Sequence, residues 1–351
     1  MPDTSHSDSV PAATGELLDR IRGLLYGLAV GDSLGNTTEG QTPATRRARY
    51  GEIRDYLPNR YVGGRRRGTP TDDTQMAFWT VDHLLRYRTI VPEELAAQFA
   101  AHRIFGIGST VRRFLATYTA HPQDDWQRWG RPSAGNGALM RISPLAITPW
   151  LSAEDPTELT IRAGALTHND PASIGSSVAL MTICVELLTG SGRPGDPLWW
   201  LNRWIELSRP LEGDTVYTPR GGEFRNWSGS LWQFLDTHVR EAFAADTPTV
   251  DVCNRWYSGA YLLETVPSVL YILMRHGHNP EEAIIRAVND TKDNDTVAAI
   301  VGTAVGAAHG LSRLPDRWIS GLSGRITGND DGAVQRLIDQ TVRAIEDGAA
   351  G

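Results

Sequence analysis

Glycine recurs every fourth residue in two separated stretches, at Gly23, Gly27, Gly31 and Gly35 and again at Gly302, Gly306 and Gly310. Residues four apart share one face of an α-helix, so each series makes a stripe without side chains. A glycine weakens a helix by about 1 kcal/mol relative to alanine. Several in register therefore need a compensating gain, and the simplest is close approach of another helix. Both stripes adjoin acids. Gly31 and Gly35 run into Asp32 and Glu39, while Gly302 follows Asp293 and Asp295. Tight packing of two such central helices would bring carboxylates together from opposite ends of the chain.

The rest of the sequence is mainly of helical period. Leu17, Ile21, Leu24, Leu25 and Leu28 mark one helix face. "DTQMAFWTVDHLLRYR" reads the same way. "PEELAAQFAAHR" begins with Pro92 in a first turn, and Asn279 with Glu282 three residues on suggests a capped start. "GAYLLETVPSVLYILMRHG" is apolar nearly all round, which predicts a buried helix. "GAVQRLIDQTVRAIED" is an amphipathic closing helix. Strand-like alternation is scarce, so the expected fold is a single all-α domain over 15–348. Residues 1–14 form a polar lead-in, expected to be disordered. Residues 190–256 carry Trp199, Trp200, Trp204, Trp227, Trp232 and Trp256. They predict a peripheral unit with its own aromatic core, with a substrate-facing role as the other reading.

The formal charge of −7 argues against a dedicated nucleic-acid binder. A local exception is the run Arg65, Arg66 and Arg67, with Arg46, Arg47, Arg54 and Arg60 upstream. It reads as a solvated loop or as a basic rim attracting a phosphate-bearing substrate. The N-terminus has no basic start followed by an apolar stretch, and no uninterrupted apolar run is long enough to cross a bilayer. Two cysteines, Cys184 and Cys253, make no disulfide framework. The expectation is a cytoplasmic protein without a membrane partner.

Two acidic clusters carry the chemistry. The first is Thr71, Asp72, Asp73 and Thr74, just before an amphipathic helix; helix capping alone could explain it. The second holds Asp290, Asp293, Asp295 and Thr296, again before a helix. A cap explains one of these acids, not both. Carboxylates held together raise each other's pKa unless a cation lies between them. Oxygen donors without clustered Cys or His favour magnesium, manganese or calcium over zinc. Two clusters could support two cations roughly 3.5–4 Å apart.

The ordered blocks "GLLYGLAVGDSLGNTTEG", "GTPTDDTQMA", "GNGALMRISPLAI", "THNDPASIGSSVAL", "SGAYLLETVPSVLY" and "NDTKDNDTVAAIVGTAVGAAHG" resemble the ADP-ribosylglycohydrolase family from about Ile21 to Gly310. The resemblance implies an all-α orthogonal helical bundle around a two-metal centre of magnesium or manganese. It implies that Thr71, Asp72 and Asp73 hold one metal, and that Asp293, Asp295 and Thr296 hold the other, with Asp295 as the bridge. Glu39 takes the position of a catalytic or gating glutamate, with Asp73 and Asp295 also in the catalytic set. Ser133, Asn136, Gly137, Met140 and Arg141 fall where relatives contact ADP-ribose. His168 takes the place near the distal ribose, and Gly259, Ala260 and Tyr261 line the adenosine side. Two departures stand out. Lys292 precedes the second acidic pair and Asn294 separates its members, and Ala134 replaces an aromatic that stacks on the ligand in some relatives.

The implied reaction is metal-dependent cleavage of the C1″ bond of ADP-ribose, releasing it from a modified protein or small molecule. Arginine-linked ADP-ribose leads, with serine-linked and O-acetyl-ADP-ribose behind it, and the Trp-rich segment is the candidate acceptor reader. A cognate ADP-ribosyltransferase or toxin is the implied partner. The alternatives are a non-catalytic ADP-ribose binder or toxin-neutralising immunity protein, and a metal-dependent phosphoesterase.

Overall fold

The two glycine stripes face each other. In a computed structural model that describes residues 12–349, helices Gly15–Gly35 and Asn294–His309 pack backbone to backbone. A Cβ at Gly27 would lie 2.0 Å from the Gly302 carbonyl oxygen, and one at Gly23 would lie 2.3 Å from that of Gly306. One at Gly31 would lie 2.0 Å from the Ala298 oxygen. None of these positions has room for a side chain, and the close backbone packing is the gain that offsets glycine's helix cost. Gly310 is different: it follows its helix with φ of 84° and makes the turn. The first eleven residues of the polar lead-in lie outside the described residues. Within the described part, Thr14 caps the first helix by accepting from the Leu17 N–H at 3.2 Å.

Other helices wrap this central pair. Leu262–His276 is buried almost all round, as its composition predicts, and includes Pro267. Asp72–Tyr87 packs across the first helix, and Ala333–Ala349 closes the bundle. The expected helix starts are present at Pro92–Ala101 and Pro280–Asp290, where the Asn279 side chain accepts from the Glu282 N–H at 3.2 Å. Helix Pro171–Thr189 has the length and composition of a membrane span, which the sequence reading did not anticipate. It is mostly buried, against helices Pro156–Ala165 and Pro197–Glu212, with Cys184 in the core. Among the described residues, the strands are a short hairpin, Pro58–Asn59 against Arg65–Arg66.

In the Trp-rich segment, Trp199, Trp200, Trp204 and Trp256 are buried in the hydrophobic core that the whole bundle shares. Trp227 and Phe224 meet the Phe234 ring at 5.0 and 5.2 Å. Arg46 corrects the reading of a basic rim. It is fully buried and donates to Thr38 Oγ1 at 2.9 Å and to the Thr291 carbonyl at 2.8 Å. It thereby ties the turn that leads to Glu39 to the segment that leads to Asp293.

Candidate active site

Asp32 organises the first acidic cluster from another helix. It lies in the last turn of Gly15–Gly35, fully buried. Its carboxylate accepts the Thr71 N–H at 2.8 Å, the Thr71 hydroxyl at 2.6 Å, the Thr74 N–H at 3.2 Å and the Thr74 hydroxyl at 2.5 Å. Thr71 is the N-cap residue of Asp72–Tyr87, yet its side chain makes no capping bond. Asp32 takes that role from across the interface, so Asp72 and Asp73 are not needed as caps. Both line a cavity of about 450 Å³.

The second cluster is held by equally specific bonds. Asp293 precedes Asn294–His309 and makes no side-chain cap. Its carboxylate accepts from Asn136 Nδ2 at 2.6 Å. Asn294 turns inward and donates to Thr38 Oγ1 and the Val288 carbonyl, each at 3.0 Å. The departure at position 294 is thus a structural lock. Lys292 makes its cation contact with Tyr257, 3.8 Å from the ring centre, and hydrogen-bonds the phenol oxygen.

The clusters converge because the glycine stripes converge. Carboxylate oxygens of Asp32, Asp73 and Asp295 lie within 4.8 Å of one another, and so do those of Glu39, Asp293 and Asp295. Asp295 belongs to both groups. Asp73 Oδ1 is buried and accepts no hydrogen bond. Burial, and then the neighbouring acids, push Asp72, Asp73 and Asp295 well above the usual carboxylate range. Burial raises Asp293 to about 6, opposed by the Asn136 hydrogen bond. Glu39 rises to about 7 through desolvation, then the charges of Asp293 and Asp32. A set of oxygens that cannot all ionise together, one of them an unpartnered buried acceptor, fits hard divalent cations. Thr296 lines the same cavity; Thr71 faces an adjoining one and is bonded to Asp32.

Ser133, Asn136, Gly137, Met140, His168, Ala260 and Tyr261, expected to meet substrate, all line the cavity with the acids. Gly137 must be glycine, since a Cβ there would come 2.8 Å from His168 Cε1. Gly259 lines a neighbouring cleft with Lys292. Ala134 is buried behind the wall, where its carbonyl accepts from the Leu262 N–H at 2.9 Å.

Arg141 is a correction. It is fully buried and absent from the cavity wall. Its guanidinium donates to Thr167 Oγ1 at 2.6 Å and to the Ala163 carbonyl at 3.0 Å. Thr167 Oγ1 in turn lies 2.9 Å from His168 Nδ1. Arginine can only donate, so the Thr167 hydroxyl keeps its own proton to give, and Nδ1 is the acceptor within reach. This assigns the ring proton to Nε2, on the side nearest Gly135 and Gly137. Burial, and then the Arg141 charge, lower His168 to about 3, so the ring is neutral.

Asp32, Arg113, Arg131 and Arg220 were not expected as site members. Asp32 was visible only as an acid at the end of a glycine stripe. Arg220, within "YTPRGGEF", lines the cavity, donates to the fully buried Glu264 at 2.9 Å and lies 5.1 Å from the Tyr261 ring centre.

Comparison with known proteins identifies the family. The ADP-ribosylglycohydrolase family profile matches residues 13–349. The chain is 25% identical to ADP-ribosyl-[dinitrogen reductase] glycohydrolase of Rhodospirillum rubrum, covering 88% of this chain and 92% of that protein. It is 26% identical to ADP-ribosylarginine hydrolase Tri1 of Serratia proteamaculans, covering 88% and 76%. Among solved structures, an ADP-ribosylglycohydrolase-related protein complex superposes with a TM-score of 0.69 at 25% identity, covering 96% of this chain and all of that one. With a helical bundle that gathers acids from both ends of the sequence, and a profile match along nearly its whole length, the chain belongs to the ADP-ribosylglycohydrolase family and is a glycohydrolase.

Proposed function

We propose that the protein removes ADP-ribose from a modified acceptor by hydrolysing the C1″ bond, using a pair of magnesium or manganese ions held by the acidic centre. The observation that carries this reading is the pair of carboxylate triads that share Asp295 beside a cavity of about 450 Å³. Asp72, Asp73, Asp293, Asp295 and Thr296 would be the direct ligands, with Thr71 beside them. The same cavity is lined by Arg113 and Arg131, and by Arg220, whose charge Glu264 matches. Acids for cations and arginines for a diphosphate suit a ligand with a ribose diol at one end and two phosphates further along.

When bound, the cations would orient the ribose hydroxyls and activate a water. The protein's own groups supply the rest. Glu39 is the acid of this set with an exposed side chain. It is placed to give a proton to the leaving group or take one from water. Asn136 fixes the Asp293 carboxylate. His168 offers Nε2–H as a neutral donor, and the 135–137 segment presents backbone at the wall. The reacting carbon should gain positive character, as in other glycoside hydrolyses, and the surrounding carboxylates suit that charge.

The names of the two relatives support a protein acceptor, and the second supports an arginine linkage. Arginine-linked, serine-linked and O-acetyl-ADP-ribose form the test panel. The enzyme that installs the modification, a transferase or toxin, is the proposed partner. The buried free thiols of Cys184 and Cys253 support a cytoplasmic location. The deciding experiment incubates the protein with each conjugate and manganese, with and without EDTA, and identifies the product by mass spectrometry. Metal-dependent release of intact ADP-ribose is expected. Release of AMP or phosphate instead would mean phosphoester cleavage and overturn the proposal.

A further inference from the structure

A second cavity, also of about 450 Å³, adjoins the acidic centre. It shares Glu39 and Gly106 with the first. Thr71 lines the second while its neighbours Asp72 and Asp73 line the first, so the acidic centre borders both. If ADP-ribose fills the first cavity with its C1″ bond at the acids, the second is placed to take what leaves.

The charge of this second cavity is unusual for an acidic protein. Arg60 lies over the Tyr61 ring at 4.8 Å and donates to its hydroxyl at 2.8 Å. Arg103 lies over the Phe105 ring at 5.2 Å, and the two rings are 6.5 Å apart. Among the described residues neither guanidinium has an ion-pair partner. Arg325 also lines the cavity, but Asp331 matches its charge at 2.6 Å. Among the described residues, Glu39 is the sole acid in the lining. Stacking holds the two guanidiniums at the wall without neutralising them.

We propose that this second cavity receives the acceptor, and that Arg60 and Arg103 select a protein segment with carboxylates beside the modified residue over one carrying cationic groups. A guanidinium leaving group meets two like charges there, which sets this chain against the arginine linkage in its relative's name, whereas an oxygen-linked residue in an acidic sequence meets two complementary ones. Nucleic acid is the weaker fit, because the formal charge of −7 repels a phosphate backbone. The inference rests on the first cavity binding ADP-ribose. It also moves acceptor recognition from the Trp-rich segment to the walls built by Arg60, Tyr61, Arg103 and Phe105.

The test uses two serine-linked ADP-ribosyl peptides of equal length, one flanked by glutamates and one by lysines, with the full-length protein and manganese. The acidic peptide should show a kcat/KM at least about tenfold higher, and added salt should shrink the ratio. In Arg60→Glu/Arg103→Glu the ratio should invert; both positions are exposed. Equal rates for the two peptides, a preference for the basic one, or an unchanged ratio in the double variant would overturn the proposal. So would faster turnover of an oligonucleotide ADP-ribosylated on its terminal phosphate. If neither peptide is hydrolysed, serine is not the linkage cleaved, and the functional reading itself fails only when arginine-linked and O-acetyl conjugates are left intact as well. The same contrast is then read as peptide binding in EDTA, where equal affinities would also sink the selectivity.

Discussion

Gly27 and Gly302 exclude each other's side chains: a Cβ on the first would lie 2.0 Å from the carbonyl oxygen of the second, and one on the second 2.2 Å from that of the first. Both obstacles are backbone, which cannot turn aside. Gly27→Ala should therefore force the central helices apart and cost about 3 kcal/mol, the upper part of the range for overpacking. Gly15, in the first turn of the same helix, has nothing within 4 Å of a built Cβ, so Gly15→Ala should be neutral or slightly stabilising. Thermal unfolding of the two variants checks the contrast. Equal melting temperatures would mean that the stripes do not set the packing.

Asp32 holds both hydroxyls and both N–H groups of Thr71 and Thr74, so it sets the start of the helix that presents Asp72 and Asp73. Asp32→Asn keeps the volume but loses charge and must turn an amide donor toward groups that donate. Metal affinity should fall about tenfold or more, as when other outer partners of metal ligands are changed. Calorimetric titration with manganese reads this directly. Unchanged affinity would remove Asp32 from the account.

The pH response should reverse between the metal-free and metal-bound protein. Asp293 and Glu39 are raised to about 6 and 7, from ordinary values near 4. A raised pKa means that the folded state binds the proton more tightly. The resulting stability is full below about pH 4 and is lost as pH rises through about 6 to 7. In EDTA the melting temperature should therefore drop between about pH 5.5 and pH 8. Manganese favours the ionised acids, so its stabilising shift should be larger at the higher pH. A manganese effect that grows toward acid pH would contradict this linkage.

The Arg141–Thr167–His168 chain should tune ligand binding more than turnover. Thr167→Val removes the acceptor for Arg141 and the donor for His168 Nδ1. ADP-ribose affinity should fall up to about tenfold, the scale of one lost hydrogen bond, with kcat changed less. Thr167→Ser should restore it. Nitrogen NMR of His168 supplies an independent reading, with the proton on Nε2 in the parent and a tautomer mixture in the valine variant. The same tautomer in both would leave Thr167 with packing alone.

Much of this site was legible in the sequence because its residues cluster along the chain. The pairs Asp72 with Asp73 and Asp293 with Asp295 announce themselves by proximity, and the glycine stripes supply a reason for the clusters to meet. Asp32 was harder, since a single acid in an apolar helix carries no signal of partners thirty-nine residues away at Thr71. Arg141 misled for the opposite reason. It sits beside Met140, which does line the cavity, but successive residues of a helix point in different directions, and its own points inward. Arg46 failed as a surface charge because its hydrogen bonds reach Asn289 and Thr291, contacts that only the fold creates.

If two cations share Asp295, electron paramagnetic resonance of the protein titrated with manganese should show two ions per chain and an exchange-coupled multiline spectrum, lost in Asp295→Ala. A single isolated manganese signal, or the coupled spectrum surviving in that variant, would contradict the shared site.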